Sequence, residues 1–578
     1  MKNILIAIRS IFKKGRHNVM KIVSLGIGLA VGLVLIAKVY FEQSYDDFYP
    51  DRDRVYQVWA KYQQNGGELK DYPQTSGGIA PTMQQQIPEI ETVTRYTSFG
   101  DWTFTMTDTK MKYSGRCIIA DSCFFDILPR PMLIGNAKEV PSTPMYVLIS
   151  SRIAKNIGGD VIGKNFTVDN SPGRTMTIGG VFEEVPENSH SRYDVIVSMA
   201  SAGRFMWEGS PTNMLGNDRY ISYVKLHKGV NPLALEEQVR TFVNSYFPPE
   251  EQQKVGLSID FSFHKLDNLH KELPQVKRMT WILSLLAFAL IFTAVMNYIL
   301  IVISSIVNRS KEVAVHKCYG ASENNIHGMM FGEALVHIVL SLILALLLIL
   351  AFRGTVEELL ATSLDSLLLS NGSLVLLGIC ILVFFVSGFM PGSLYARIPV
   401  ASAFRNYREN KRIWKKALLL VQFVATGFLV TMLVFVARQY TFMVNDRPGY
   451  AYENLAYCGL AGVDSTSRAK ILDEVMRLPG VAAATTVYQL PFEHASGNNI
   501  LLPGGTQELF NIADLYWVGN GYLDMMEIPV IQGRSFTENV TNSREVMVDR
   551  RFVEKMKLVA GWTDDVVGKD ICVTEHST

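Results

Sequence analysis

The residues whose types could do chemistry stand at spacings that do not support it. Gly158-x-x-x-x-Gly163-Lys164 has the pattern of a phosphate-cradling loop, but Asn165 occupies the position whose hydroxyl would hold magnesium. Gly568-Lys569 repeats the end of this pattern without the upstream glycine, so both are expected to be turns before strands. No ATPase activity is expected of this chain. The six cysteines, at 117, 123, 318, 380, 458 and 572, form no C-x-x-C pair, and none of the ten histidines lies in an H-E-x-x-H motif. Neither zinc nor a dense disulfide framework is indicated. Cys117 and Cys123 could pair, although their apolar surroundings favour free burial. His190, in Asn188-Ser189-His190, reads as part of a turn. The expectation is no catalytic residue, no cofactor and no metal.

What must position any remaining chemistry is a membrane. The 578 residues carry 55 basic and 54 acidic side chains, so no basic field gathers nucleic acid and no acidic excess keeps the chain disordered. Charged residues make up 19%, below the roughly 25% of an average soluble domain, so apolar residues must be concentrated somewhere. Five windows approach the ~20 apolar residues needed to cross a hydrocarbon core: 22–41, 279–303, 329–352, 373–390 and 417–437. In the first, twelve Leu, Ile, Val and Phe residues give about −4 to −7 kcal/mol of insertion free energy. It is too long for a signal-peptide core, and no small-x-small site follows Tyr40-Phe41-Glu42. Lys38 lies near one end and is expected to snorkel.

Inside the third window, Glu333 and His337 stand four apart and share a helix face. An ionisable pair within a membrane is costly and marks a functional candidate by default. The plainer reading places Glu333 near the cytoplasmic end of its span, paired with basic neighbours. Asn297 and Gln422 are expected to hydrogen-bond between helices.

Orientation follows from the short loops. Lys2, Arg9, Lys13, Lys14, Arg16 and Lys21 precede the first span without an acid. Arg397, Arg405, Arg408, Lys411, Arg412, Lys415 and Lys416 separate the fourth and fifth spans against Glu409 alone. The positive-inside rule puts 1–21 and 391–416 in the cytoplasm. Loop 353–372, with Arg353 against Glu357, Glu358 and Asp365, suits the outer face. Counting crossings then places 304–328 inside and the large segments 42–278 and 438–578 outside.

The first large segment mixes alternating runs, such as 174–182 and 220–226, with amphipathic stretches at 79–87, stopped by Pro88, and 233–246. The fold class expected is a multi-span α-helical membrane protein with α+β extracytoplasmic domains. Self-comparison shows a repeat. Phe124-Phe125-Asp126-Ile127 with Gly135 recurs as Tyr522-Leu523-Asp524-Met525 with Gly533, and Val147-Leu148-Ile149 with Arg152 recurs as Val546-Met547-Val548 with Arg551. The unit "basic run, span, outer domain" occurs twice, and three spans follow only the first copy. A full second copy would raise the spans from five to eight and end near residue ~790, so the chain is expected to be truncated within its second outer domain.

The sharpest local pattern lies between the second and third spans. Residues 311–319 can form a short helix with Val313, Val315 and Tyr319 apolar, ended by Gly320 before Ser322 starts the next helix. Such a helix can lie on the membrane surface or enter a partner's groove. This stretch resembles the coupling region of MacB/FtsX-type ABC transporter permeases, R-x-x-E-[IV]-G-[IV]-R-K-x-x-G-A-S. Arg309, Glu312, Val313, Val315, Lys317, Gly320, Ala321 and Ser322 match, while Ala314 replaces the usual Gly and His316 the usual Arg. Ser44-Tyr45-Asp46-Asp47-Phe48, Asp53-Arg54-Val55-Tyr56, Pro88-Glu89-Ile90-Glu91, the run from Val181 to His190 (VFEEVPENSH), Met390-Pro391 and Gln422-Phe423 are similar to the same group.

The resemblance implies a permease subunit in the bacterial inner membrane, with MacB-like periplasmic core domains outside. It would turn ATP hydrolysis by a separate cytoplasmic ATPase into movement of those domains, for export, extrusion or mechanotransmission. The ATPase-coupling residues would be Arg309, Lys311, Glu312, Val313, Val315, His316, Lys317, Gly320 and Ala321. The implied partners are that ATPase, the lipid bilayer and a periplasmic or outer-membrane protein, with no nucleic acid. An ATPase-independent envelope receptor or scaffold is the alternative, and a secondary transporter, hinted at only by Glu333 and His337, ranks last.

Overall fold

The computed structural model describes residues 17–64, 69–168, 171–216, 218–368, 372–396, 413–446, 449–460, 463–491, 496–505, 508–536, 545–563 and 565–573. Lys2, Arg9, Lys13, Lys14 and Arg16, and Arg397, Arg405, Arg408, Lys411 and Arg412 of the linker, lie outside them. The chain divides into two units, Met1–Val430 and Thr431–Thr578.

Five helices are long and apolar enough to cross a membrane: Asn18–Gln43, Pro274–Ser304, Glu323–Ala351, Ser373–Ser393 and Leu419–Asn445. They run past the apolar windows because a helix, once nucleated, propagates cheaply into polar sequence. In the first unit, Leu25, Leu29 and Leu33 of the first span, Val295, Ile299 and Val302 of the second, Met330 and Ile338 of the third and Val383 of the fourth form one buried cluster. Lipid tails are as apolar as leucine, so helices associate through close packing rather than hydrophobic drive. Gly28 supplies that closeness: a Cβ there would stand 2.2 Å from the Ala294 Cβ of the second span. Gly32 likewise faces Ile291. The Gly28-x-x-x-Gly32 spacing behind these contacts is visible in the sequence. On the fifth helix, Leu420, Phe423 and Val424 are exposed.

Between the first and second spans an α+β domain is built on eleven strands: β1 (Val55–Gln64), β2 (Lys70–Tyr72), β3 (Ile90–Met106), β4 (Lys112–Ala120), β5 (Met132–Ile134), β6 (Tyr146–Ser150), β7 (Asn165–Val168), β8 (Ser171–Phe182), β9 (Val195–Ser198), β10 (Ile221–Leu226) and β11 (Leu257–Lys265). Their order is β11-β1-β10-β3-β4-β9-β6-β8-β5, with β2 beside β1 and β7 joined to β3 and β8. Among the described residues only β4–β9 and β6–β8 pair in parallel. Cys117 to Ala120 and Val147 to Ile149 are buried throughout, as interior strands covered on both faces require. Ile79, Ala80 and Met83 of helix Ile79–Gln86 and Val239, Phe242 and Val243 of helix Glu236–Tyr246 pack over Val58, Ala60 and Val224 of the sheet. The helix expected from 233 opens as a 3-10 turn, Pro232–Leu235, before becoming α-helical at Glu236.

The cradle-like glycines are turn residues. Gly158, at φ 75°, ends helix Ser151–Ile157, and Gly163, at φ 77°, donates its N–H to Ile178 O at 2.8 Å just before β7. Cys117 and Cys123 are both free thiols, the first buried in β4 and the second donating to Val93 O at 3.0 Å. Burial pushes both thiols up.

Asp51 accepts hydrogen bonds from Arg54 at 3.0 Å and pairs with Lys225 at 2.6 Å. Those bonds, Arg54 first, hold its pKa down to about 2, from an ordinary 3.8. A carboxylate depressed by folding contributes stability that is complete above its unfolded value and is lost as pH falls through the folded one. Asp51→Asn is therefore expected to flatten the acid-unfolding curve between pH 3.8 and about 2, followed by circular dichroism.

In the second unit, β12 (Ser496–Leu501), β13 (Glu508–Leu515) and β14 (Cys572–Val573) form an antiparallel sheet ordered β13-β12-β14. This repeats the β4-β3-β7 corner of the first domain. Helices Tyr522–Met525 and Arg550–Ala560 repeat Phe124–Ile127 and Ser151–Ile157, and Gly135 and Gly533 both take positive φ, 89° and 78°. Val546, Met547 and Val548 depart from the repeat. Their counterparts Val147, Leu148 and Ile149 are strand residues held between β8 and β9, and the described residues of the second unit supply no such neighbours.

Candidate functional site

The segment between the second and third spans is a helix, Ile306–Cys318, following the second span with only Ser305 between them. Ser304 and Ser305 donate their hydroxyls to the carbonyls of Ile301 and Val302 at 2.8 and 2.6 Å, competing with the helical ladder where it breaks. Arg309 and Lys311 lie on this helix, with side chains outside the described residues. Val313 and Ala314 are fully buried in the bundle cluster, and Glu312 and Lys317 are half-buried. Val315, His316, Cys318 and Tyr319 face outward, Tyr319 at 89% exposure. The sequence grouped Val313, Val315 and Tyr319 as one apolar set; the helix separates them, since residues two apart point in nearly opposite directions while residues four apart share a face. The inward face is therefore a root in the bundle, and Val315, His316 and Tyr319 form a free outward face.

Gly320-Ala321-Ser322 turns this helix into the third span. Gly320 adopts φ 86°, its N–H donates to Lys317 O at 3.0 Å, and the Ala321 N–H donates to His316 O at 3.0 Å, the paired bonds of a Schellman cap. Ser322 then caps the third span, its hydroxyl accepting from the Asn325 N–H.

Within the bundle, Glu333 Oε1 lies 3.4 Å from Lys21 Nζ, both side chains buried, and Lys21 also reaches Asn18 Oδ1 at 3.3 Å. Glu333 thus has a basic partner, as the plainer reading expects, and stands four residues past the start of the apolar window at 329, although helix Glu323–Ala351 itself begins ten residues before it. His337 Nδ1 lies 3.2 Å from the Tyr298 hydroxyl of the second span, and Ser341 donates to Ile22 O of the first at 3.1 Å. Glu333, His337 and Ser341 thus form a one-residue-per-turn polar stripe facing the first two spans. Ser341 continues the spacing of Glu333 and His337 that the sequence displays, whereas Lys21 closes the basic run 1–21 and carries no local sign of a buried partner. Gln422, expected to bond a neighbouring helix, is buried with its Nε2 unpaired. Lys38 does not snorkel: it is buried, 2.7 Å from Glu42 and 2.8 Å from Thr362 Oγ1. A partner within the protein replaces the headgroup layer. Among the described residues no group of three His, Cys, Asp or Glu is placed to hold a metal ion.

Two family models match the chain: the MacB-like periplasmic core domain over residues 20–242 and the FtsX-like permease C-terminal domain over residues 284–400. No curated protein matches. Among solved structures, a domain assigned to a permease of Porphyromonas gingivalis is 32% identical, covering 38% of this chain and 91% of that one, with a TM-score of 0.35. The periplasmic region of MacB from Actinobacillus actinomycetemcomitans is 15% identical over 38% and 91%, with a TM-score of 0.26. The extracellular domain of the noncanonic ABC-type transporter YknZ from Gram-positive bacteria is 10% identical over 36% and 98%, also at 0.26. With a core domain set between the first two spans and a permease module after it, the chain belongs to the MacB/FtsX-type ABC transporter permeases, a group of generally non-catalytic membrane components.

Proposed function

We propose that the chain is the membrane subunit of an ABC system, in which a separate cytoplasmic ATPase grips helix Ile306–Cys318 and its Gly320 cap and thereby moves the extracytoplasmic domains. The N-terminus and the 304–328 segment face the cytoplasm of a bacterial inner membrane in this reading, and 42–278 and 438–578 face the periplasm. The observation that supports it is the outward face of Val315, His316 and Tyr319 on a helix whose other face is rooted in the bundle. A protruding aromatic beside an aliphatic residue is the kind of anchor that carries most of an interface's energy, and the root passes any displacement directly to the spans.

Tyr319→Ala is expected to weaken ATPase binding by about 2 kcal/mol or more, about thirtyfold in Kd, measured by titration in nanodiscs. Insertion and thermal stability should be unchanged, because the side chain touches little of its own chain. Unchanged affinity would defeat the assignment. Exposed Cys318 gives the topological arm: an impermeant maleimide should label it in inverted vesicles and not in intact cells.

A further inference from the structure

We infer that the loop between the third and fourth spans is a strap which, with the segment Glu187-Asn188-Ser189-His190, locks the α+β domain to the helical bundle so that the two move as one rigid body. Three sets of contacts converge on the outer end of the first span. In the first, Asp46, just past the helix, is fully buried and holds φ 60°, a left-handed conformation that a non-glycine residue keeps only when its surroundings impose it. Its N–H donates to Asn188 O at 2.9 Å, and its carboxylate accepts from the Ser189 hydroxyl at 3.1 Å, the His190 N–H at 3.3 Å and His190 Nδ1 at 2.7 Å. The other ring nitrogen of His190 meets the hydroxyl of buried Tyr223 in β10, so the clasp reaches the centre of the sheet. Asn188 Nδ2 also donates to Ser44 O at 2.6 Å.

In the second set, Glu42 in the last turn of the first span lies 2.6 Å from His270 Nε2, with Tyr45 stacked on the imidazole at 3.4 Å between centroids. His270 stands four residues before the second span begins at Pro274. Both chain connections of the domain are thus pinned at one point. The third set belongs to the loop itself. After Ala361, at φ 47°, Thr362 accepts from Lys38, and the Ser363 N–H donates to Glu187 Oε2 at 3.0 Å. Glu187 and its neighbours therefore touch the loop on one side and the base of the first span on the other. Two flexible connections alone would let the domain pivot; a third attachment through a separate pair of spans removes that freedom.

The inference is independent of any ATPase, and its test needs no nucleotide. The full chain in nanodiscs, with exposed Cys318 and Cys458 changed to serine, carries spin labels at Leu359→Cys on the loop and Leu133→Cys on the domain, both exposed positions. Electron-electron double resonance should give one narrow distance peak. Glu187→Ala combined with His190→Ala should lose it to a broad distribution, and Glu187→Gln, which still offers an acceptor to Ser363, should keep it. A second pair within the domain, Met111→Cys and Tyr246→Cys, reports whether the domain stays folded; if the double variant disturbs it, Glu187→Ala alone decides, because Glu187 is only half-buried. A broad distribution in the unaltered chain, or a narrow one in the folded Glu187→Ala variant, overturns the inference.

Discussion

Lys21→Met should destabilise the bundle by about 3–5 kcal/mol, because it leaves the Glu333 carboxylate buried without its ammonium. Glu333→Leu should cost a similar amount by removing the carboxylate from Lys21, whose relative exposure is 0%. The double variant Lys21→Met/Glu333→Leu should recover most of the loss, since a buried ion pair contributes little net stability over an apolar pair of the same volume. Thermal unfolding of the full chain in detergent, arranged as a double-mutant cycle, measures the coupling between the two sites. Additive losses would mean that the two side chains are not coupled in the folded bundle. The pair joins the first span to the third, and the third directly follows the Gly320 cap.

The second large effect concerns a single hydrogen atom's worth of space. Gly28→Ala places a methyl 2.2 Å from the Ala294 Cβ, which sits directly on the opposing backbone and cannot swing away. The helices must separate, and about 1–3 kcal/mol of packing should be lost. Gly26→Ala is the milder comparison: there the nearest contact, at 2.9 Å, is Leu344 Cδ2, the end of a side chain that can change rotamer, and the nearest backbone atom, the Ser341 carbonyl oxygen, stands at 3.2 Å. Both alanines raise helix propensity equally. A lower melting temperature for Gly28→Ala than for Gly26→Ala in the full chain is the expected result, and equal values would show that the first two spans are not in close contact.

Much of this architecture was legible in the sequence because it depends on local patterns. The apolar windows disclosed the spans, and Gly320-Ala321-Ser322 announced a helix stop followed by a helix start, which the Schellman cap and the Ser322 N-cap bear out in detail. What was not legible required knowing which helix meets which. Lys21 and Glu333 are 312 positions apart, and nothing local distinguishes Lys21 from the other basic residues before the first span. The same holds for Lys38, whose partner Thr362 is 324 positions away. Val546, Met547 and Val548 show a different limit: a strand is a property of pairing, and among the described residues this apolar run lacks the neighbours that hold Val147, Leu148 and Ile149.

The polar stripe on the third span has a mechanical corollary. Glu333, His337 and Ser341 recur once per turn, and the first span answers them with Lys21 and the Ile22 carbonyl. Axial slippage of one helix past the other would leave the ammonium opposite hydrocarbon or, a full ~5.4 Å pitch on, opposite His337 instead of a carboxylate, so gliding in either direction breaks the pair. Leaning as a pair disturbs none of these contacts, so tilting is the inexpensive displacement of these two helices and sliding the expensive one.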